Sequence, residues 1–334
     1  MKRPALLPDD FTLLLVATVA LATLLPAQGV AAHFFDALTT CAIGLLFFLH
    51  GTKLSRDAIR EGITHWRLHL LVFACTFVLF PLLGLALKPL LQPLVTRELY
   101  TGVLFLCVLP ATVQSAIAFT SIARGNVPAA VCSASASTLL GVFVTPVLVG
   151  LAVLPHSAAS TNAFDATGRI LMQLMLPFLA GHLLRPWISG WIERRRQVLG
   201  LVDRGSILLV VYTAFSAAVI EGLWKQVPLQ ALAGLLVACA VILACTLFLT
   251  GWFARRLGFD KADEITIVFC GSKKSLASGI PMAKVLFPAQ SVGAIVLPLM
   301  LFHQMQLMVC AVLAARYARR VDDVPASEPA RVAG

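Results

Sequence analysis

Two adjacent lysines, Lys273 and Lys274, stand in the middle of Phe269-Cys270-Gly271-Ser272-Lys273-Lys274-Ser275-Leu276-Ala277-Ser278-Gly279, a run otherwise suited to lipid. A charge at a bilayer centre costs roughly 2.5 to 3.5 kcal/mol on insertion scales, so lysines at that depth face a cavity and carry function. The chain has 16 acidic residues, and each falls in a loop or near the end of an apolar run. Asp263, ten residues before Lys273, lies about 15 Å away along a helix. Three partners remain: backbone carbonyls freed where a helix breaks, loss of the lysine proton, or an anion from outside the protein. A half-helix starting after Gly271 would also present free N–H groups and the positive end of its dipole. The pattern points to an anionic substrate. Lys273 is the first candidate because it lies nearer the Gly271 break. Neighbouring helical residues point about 100° apart, so one lysine can face the cavity while the other snorkels or caps carbonyls.

A second polar break occurs at Leu109-Pro110-Ala111-Thr112-Val113-Gln114-Ser115, where a proline removes a backbone donor inside an apolar span. Thr112, Gln114 and Ser115 there, Ser133, Ser135 and Thr138 on the next span, and His303 and Gln304 on the last can line one aqueous crossing with Gly271, Ser272 and Ser275. Each hydroxyl also has the alternative of bonding its own helix backbone or a neighbouring helix. Gly271-Ser272-Lys273-Lys274-Ser275 faintly echoes a phosphate loop, but the upstream glycine and the preceding strand are missing, which excludes ATP binding. A membrane-embedded enzyme would need a deep His/Asp/Glu constellation, and His50, His182 and His303 have no carboxylate at their depth. No metal or organic cofactor is expected.

The elements that position these groups follow from composition. Of 334 residues, 59% are hydrophobic and 13% charged, with a mean hydropathy of +0.89. This is an all-α polytopic membrane protein with room for about ten spans. The spans run approximately over 11–26, 35–52, 69–87, 99–123, 128–154, 170–188, 207–223, 229–253, 265–286 and 292–315. A signal peptide ending near Ala31-Ala32 is the rival reading of the first. The eight cysteines lie in apolar runs without ligand spacing and read as reduced packing residues. A net charge of +10 raises nucleic acid as a partner, but the basic residues flank apolar spans without aromatic interleaving.

With both termini cytoplasmic, nineteen of the 26 lysines and arginines fall inside, among them Arg67, Arg255, Arg256, Lys261 and Arg316. Lys88, Arg97, Arg169, Lys225 and Lys284 fall outside, a bias that supports both the span count and the orientation in a cell inner membrane. Ten spans divide into two sets of five, residues 1–154 and 165–320, joined by a polar linker at 156–167. A Pro/Ala/Asp-rich tail, 321–334, reads as disordered. An odd number of spans inverts the second set, and the broken fourth and ninth spans hold equivalent places. Matched broken segments in inverted halves point to a transporter site at the midplane.

The chain resembles the bile acid/sodium symporter superfamily over nearly its whole length. The resemblance rests on the polar break after Pro110, on Arg124-Gly125-Asn126, on Ser137-Thr138-Leu139-Leu140 with Thr145-Pro146, on the broken ninth span and on Phe302-His303-Gln304. Cys270-Gly271-Ser272-Lys273-Lys274-Ser275 places it in the branch of bacterial sodium-dependent transporters related to the seventh member of human solute carrier family 10. The resemblance implies a core domain and a panel domain, spans 4 and 9 crossing in the core, elevator-like alternating access and an organic anion carried with sodium. It also leaves open a transporter-like regulator that moves nothing. The sodium-coupled pattern is altered: Phe269 or Cys270 stands where those members have a glutamate, Lys273 where they have a glutamine, Ser115-Ala116 in place of a Ser-Asn pair, and Thr76 in place of a glutamine. The expectation is that a lysine ammonium replaces a sodium ion, making transport sodium-independent or proton-coupled; a sodium-coupled symporter with rearranged sites is the alternative.

Overall fold

The computed structural model describes residues 10–53, 65–153 and 163–319, and their regular structure is helical. The apolar runs form α1 (Asp10–Leu24), α2 (Gly29–Lys53), α3 (Trp66–Ala86), α4 (Arg97–Val108), α5 (Val113–Ile122) and α6 (Val127–Val153). They continue as α7 (Ala163–Arg194), α8 (Arg196–Ile220), α9 (Leu229–Arg256), α10 (Lys261–Gly271), α11 (Leu276–Leu286) and α12 (Ala289–Ala318). Among the described residues 6 helices are long and apolar enough to cross a membrane, and the α4–α5 pair, bent by 63° at its break, makes a seventh if taken as one span. The protein is a multi-pass membrane protein.

Helix ends lie beyond the apolar runs wherever a polar cap is available. The Asp260 side chain accepts from the Asp263 N–H at 2.8 Å, so α10 begins at Lys261, ahead of the first apolar residue. Asn126 caps α6 by accepting from the Ala129 N–H at 3.1 Å. The polar linker is shorter than the sequence suggests, because α7 already starts at Ala163. The rest of that linker, the first nine residues, Arg56, Arg60 and the tail from residue 321 lie outside the described residues. The predicted first span is α1, packed along α8: Arg204 lies over the Phe11 ring at 6.0 Å, and the Tyr212 hydroxyl donates to the Leu25 carbonyl at 2.9 Å.

Two turns of π-helix, Cys75–Leu79 in α3 and Val149–Val153 in α6, have no counterpart in the predicted elements. The first has a local cause. Pro81 lacks an N–H, and the Phe80 N–H bonds to Cys75, which leaves the Thr76 carbonyl without a helical donor.

Four helix ends gather at one face. Arg67, at the start of α3, donates to the Leu257 carbonyl at 3.1 Å just after α9 and lies 5.5 Å from the Phe259 ring. Lys261, at the start of α10, lies 5.2 Å from the Tyr317 ring at the end of α12. Elsewhere Lys284 at the end of α11 pairs with Asp36 of α2 at 2.7 Å.

Candidate functional site

The two breaks meet. The Ser275 N–H donates to the Pro110 carbonyl at 2.9 Å, and the Thr112 hydroxyl donates to the Lys274 carbonyl at 2.8 Å. The contact is close because Gly141 of α6 faces Pro110: a Cβ there would sit 2.6 Å from the proline ring. Gly125 plays a similar part in the turn between α5 and α6, where a Cβ would meet Ile265 of α10 at 2.8 Å. That turn is held to α10 by the Asn126 side-chain amide donating to Asp263 at 2.8 Å and by the Thr266 hydroxyl donating to the Asn126 carbonyl at 3.1 Å.

Breaking a helix in hydrocarbon frees backbone groups that each cost several kcal/mol if left unpaired, so their partners must be found nearby. The Ala111 N–H donates to the Ser137 hydroxyl at 3.0 Å. The Val108 carbonyl accepts from the Thr145 hydroxyl at 2.9 Å. The Cys107 and Leu109 carbonyls accept from the Lys274 ammonium at 2.8 and 2.7 Å, and the same ammonium donates to the Thr76 carbonyl at 2.8 Å. Lys274 therefore caps the orphan carbonyls of two interrupted helices at once. Its ammonium also lies 4.1 Å from the Phe80 ring centroid. Gln306 of α12 clamps the Lys274 backbone, accepting from its N–H and donating to its carbonyl, both at 2.9 Å.

Lys273 is held differently. It donates to one carbonyl, that of Ser115, at 2.9 Å, and its ammonium lies 3.9 Å from the Phe119 centroid and 5.1 Å from that of Phe269. Aromatic faces stabilise a desolvated ammonium by about 2 kcal/mol, without neutralising it. Both lysines are fully buried, and among the described residues neither has a carboxylate within ion-pairing distance. Beside them the N-terminus of α5 carries no side-chain cap, Gln114 is exposed there, and the Ser115 hydroxyl is buried without a hydrogen-bond partner. The result is net positive charge within a shell of dipoles and rings.

A cavity of about 510 Å³ lies between α1, α11 and α12, with Leu15, Val19, Thr23, Trp224, Leu276, Met300, His303 and Gln304 in its wall. His303 Nδ1 lies 2.9 Å from the Gln306 side-chain amide. The cavity wall thus touches the residue that holds the Lys274 backbone.

The candidate residues separate into groups. Thr112, Ser115, Gly271, Ser272, Lys273, Lys274 and Ser275 sit at the crossing, with the Ser272 hydroxyl donating to its own helix at the Val268 carbonyl (2.6 Å) and Ser275 capping α11. Thr76 joins them through its carbonyl, its hydroxyl donating to the Val72 carbonyl at 2.8 Å, and the lysine it meets is Lys274, whereas the sequence puts Lys273 first. His303 and Gln304 face the cavity. Ser133 instead pairs with His69 of α3 at 2.6 Å, Thr138 donates to its own helix at the Ala134 carbonyl (3.1 Å), and Ser135 is half-buried on α6. Ser137, Thr145 and Gln306 are the polar groups at the crossing absent from the sequence-derived set. Ser137 follows Ser133 by one helical turn and Gln306 follows His303 by three residues, so facing periodicity was the available signal.

Comparison with known proteins covers nearly the whole chain. The family model described as the SBF-like CPA transporter family matches residues 9–319. A Pseudomonas aeruginosa protein named "Uncharacterized protein PA2026" is 70% identical over 98% of both chains. An Escherichia coli K12 protein named "Putative symporter YfeH" is 56% identical over 96% of both. A rat protein named "Sodium/bile acid cotransporter 7" is 29% identical over 81% of this chain and 80% of its own.

Proposed function

Because the chain belongs to the SBF-like CPA transporter family, we propose that it is a secondary transporter moving a small organic anion by alternating access, with a lysine in the place of a coupling cation. The observation that carries this reading is the crossing itself: two buried lysine amino groups, no carboxylate beside them among the described residues, and an uncapped half-helix N-terminus. In this reading the lysines divide the work. Lys274, with three carbonyl oxygens at 2.7 to 2.8 Å, takes the part that a sodium ion bound by backbone oxygens would play. Lys273, with one carbonyl and two rings, keeps its charge available to a substrate anion at the start of α5, where Gln114 and the Ser115 hydroxyl supply hydrogen bonds.

The apolar lining of the cavity beside α1 favours a cargo with an apolar body and one charged end, and His303–Gln306–Lys274 links that cavity to the crossing. We further read residues 1–154 and 165–320 as inverted five-span halves, because α4–α5 and α10–α11 are the broken members at equivalent places. The family resemblance implies core and panel domains, and in that arrangement α2 and α11 belong to different ones. Uptake into proteoliposomes, with sodium replaced by potassium, is the test. Unchanged uptake is expected, lost in Lys273→Met. Strict dependence on sodium would reject the lysine-for-cation reading, and substrate-insensitive, flux-free protein would reject transport.

A further inference from the structure

A second cavity, of about 520 Å³, lies between α9, α10 and α12, away from the crossing of the breaks. Its walls include Phe248 of α9 and Val309 and Val312 of α12, which are 63%, 42% and 40% exposed, so the groove is open to the lipid side of the bundle. Its mouth carries Arg255 and Arg316, in the last turns of α9 and α12. From Phe248 to Arg255, and from Met308 to Arg316, the groove runs about 10 to 12 Å along the two helices. It is apolar at depth and doubly basic at one end.

Among the described residues the charge there is not fully paired. The acid beside Arg255 is Glu264, whose side chain is 4% exposed and is bound by Lys261 at 2.9 and 3.0 Å; Arg255 reaches it only at 3.5 Å and keeps 57% of its own side chain exposed. Of the other acids at that end of α10, Asp263 is engaged by Asn126 and Asp260 caps the helix. Arg255 and Arg316 thus stand at an end of the groove where the buried carboxylate, Glu264, is already bound by Lys261. Basic residues also predominate among the four helix ends gathered at this face, as expected of a cytoplasmic side.

We propose that this groove binds an anionic phospholipid of the cytoplasmic leaflet, its phosphodiester held by the Arg255 and Arg316 guanidiniums and one acyl chain laid along Phe248, Val309 and Val312. Guanidinium meets phosphate through paired charge-assisted hydrogen bonds, and basic pockets between membrane helices at this depth are suited to such headgroups. The transported anion is a poor occupant, because the groove opens sideways to lipid and its wall meets the crossing only indirectly, Tyr317 packing edge-on against Phe269, the ring beside Lys273, and the Val268 carbonyl accepting from Ser272. The site stands independently of the proposed cargo.

The test is native mass spectrometry of the purified full chain titrated with phosphatidylglycerol or with phosphatidylcholine of the same chains. Phosphatidylglycerol is expected to bind about tenfold tighter, with the preference shrinking as salt rises toward 0.5 M, since ionic strength screens it. Arg255→Gln/Arg316→Gln should abolish the preference without changing phosphatidylcholine binding, while Arg256→Gln, outside the groove, should retain it. Equal binding of the two lipids by wild type, or a preference that survives the double substitution, overturns the proposal. So does full competition by inorganic phosphate, which would assign the arginines to a free anion. The salt series on wild type decides the matter if the double variant does not fold.

Discussion

Three carbonyl oxygens on one ammonium make Lys274 a structural cation as much as a functional one. Replacing it by methionine keeps nearly the length of the side chain and orphans the Thr76, Cys107 and Leu109 carbonyls in a fully buried site. At about 1 to 3 kcal/mol for each buried orphan, Lys274→Met should destabilise by roughly 3 to 9 kcal/mol. Lys273→Met loses one hydrogen bond and the ring contacts, and removes an unpaired charge, so its cost should stay under about 2 kcal/mol. Thermal unfolding in detergent is the measurement: a large drop for Lys274→Met and a small one for Lys273→Met. Equal drops would show that the two lysines are not held as differently as their contacts indicate.

At the scale of elements, the crossing works because small residues let two broken helices and α6 come together. Gly141 is the clearest case, since its missing side chain is where Pro110 sits. Gly141→Ala must displace Pro110, and with it the Cys107 and Leu109 carbonyls that Lys274 holds. Overpacking of this kind costs about 1 to 3 kcal/mol. The variant is expected to melt earlier and to lose anion-induced thermal stabilisation, whereas Gly44→Ala on α2, with open space around its Cβ position, should do neither. A Gly141→Ala protein with wild-type melting and anion response would mean that the α4–α5 break relaxes without consequence.

For the whole molecule, a charged contact joins α2 to α11: Asp36 and Lys284 pair at 2.7 Å, with Asp36 57% exposed. With the carboxylate exposed and the Lys284 side chain 11% exposed, such a pair stabilises by about 1 kcal/mol, so its loss should alter melting only slightly. Its use is as a marker of motion. If the core and panel domains of the proposed transporter move against each other during a cycle, a short bifunctional maleimide joining Asp36→Cys to Lys284→Cys, in a Cys41→Ser background, should stop uptake while leaving anion binding intact. Uptake at the wild-type rate after complete cross-linking would exclude relative movement of α2 and α11.

What the sequence by itself determined follows from effects local to a span. Apolar length set the all-helical, multi-pass membrane class, Pro110 and Gly271 marked both breaks, and the absence of acids from the apolar runs isolated the lysines. These signals survive without a fold, because insertion energy and a missing N–H belong to the residue. Tertiary structure alone decided which lysine caps the breaks, that Gln306 and Ser137 rather than Ser133 complete the crossing, and that Thr76 contributes a carbonyl freed by a π-turn. Those outcomes depend on which orphaned backbone groups come within about 3 Å of which side chains, and that is settled only when helices distant in sequence pack.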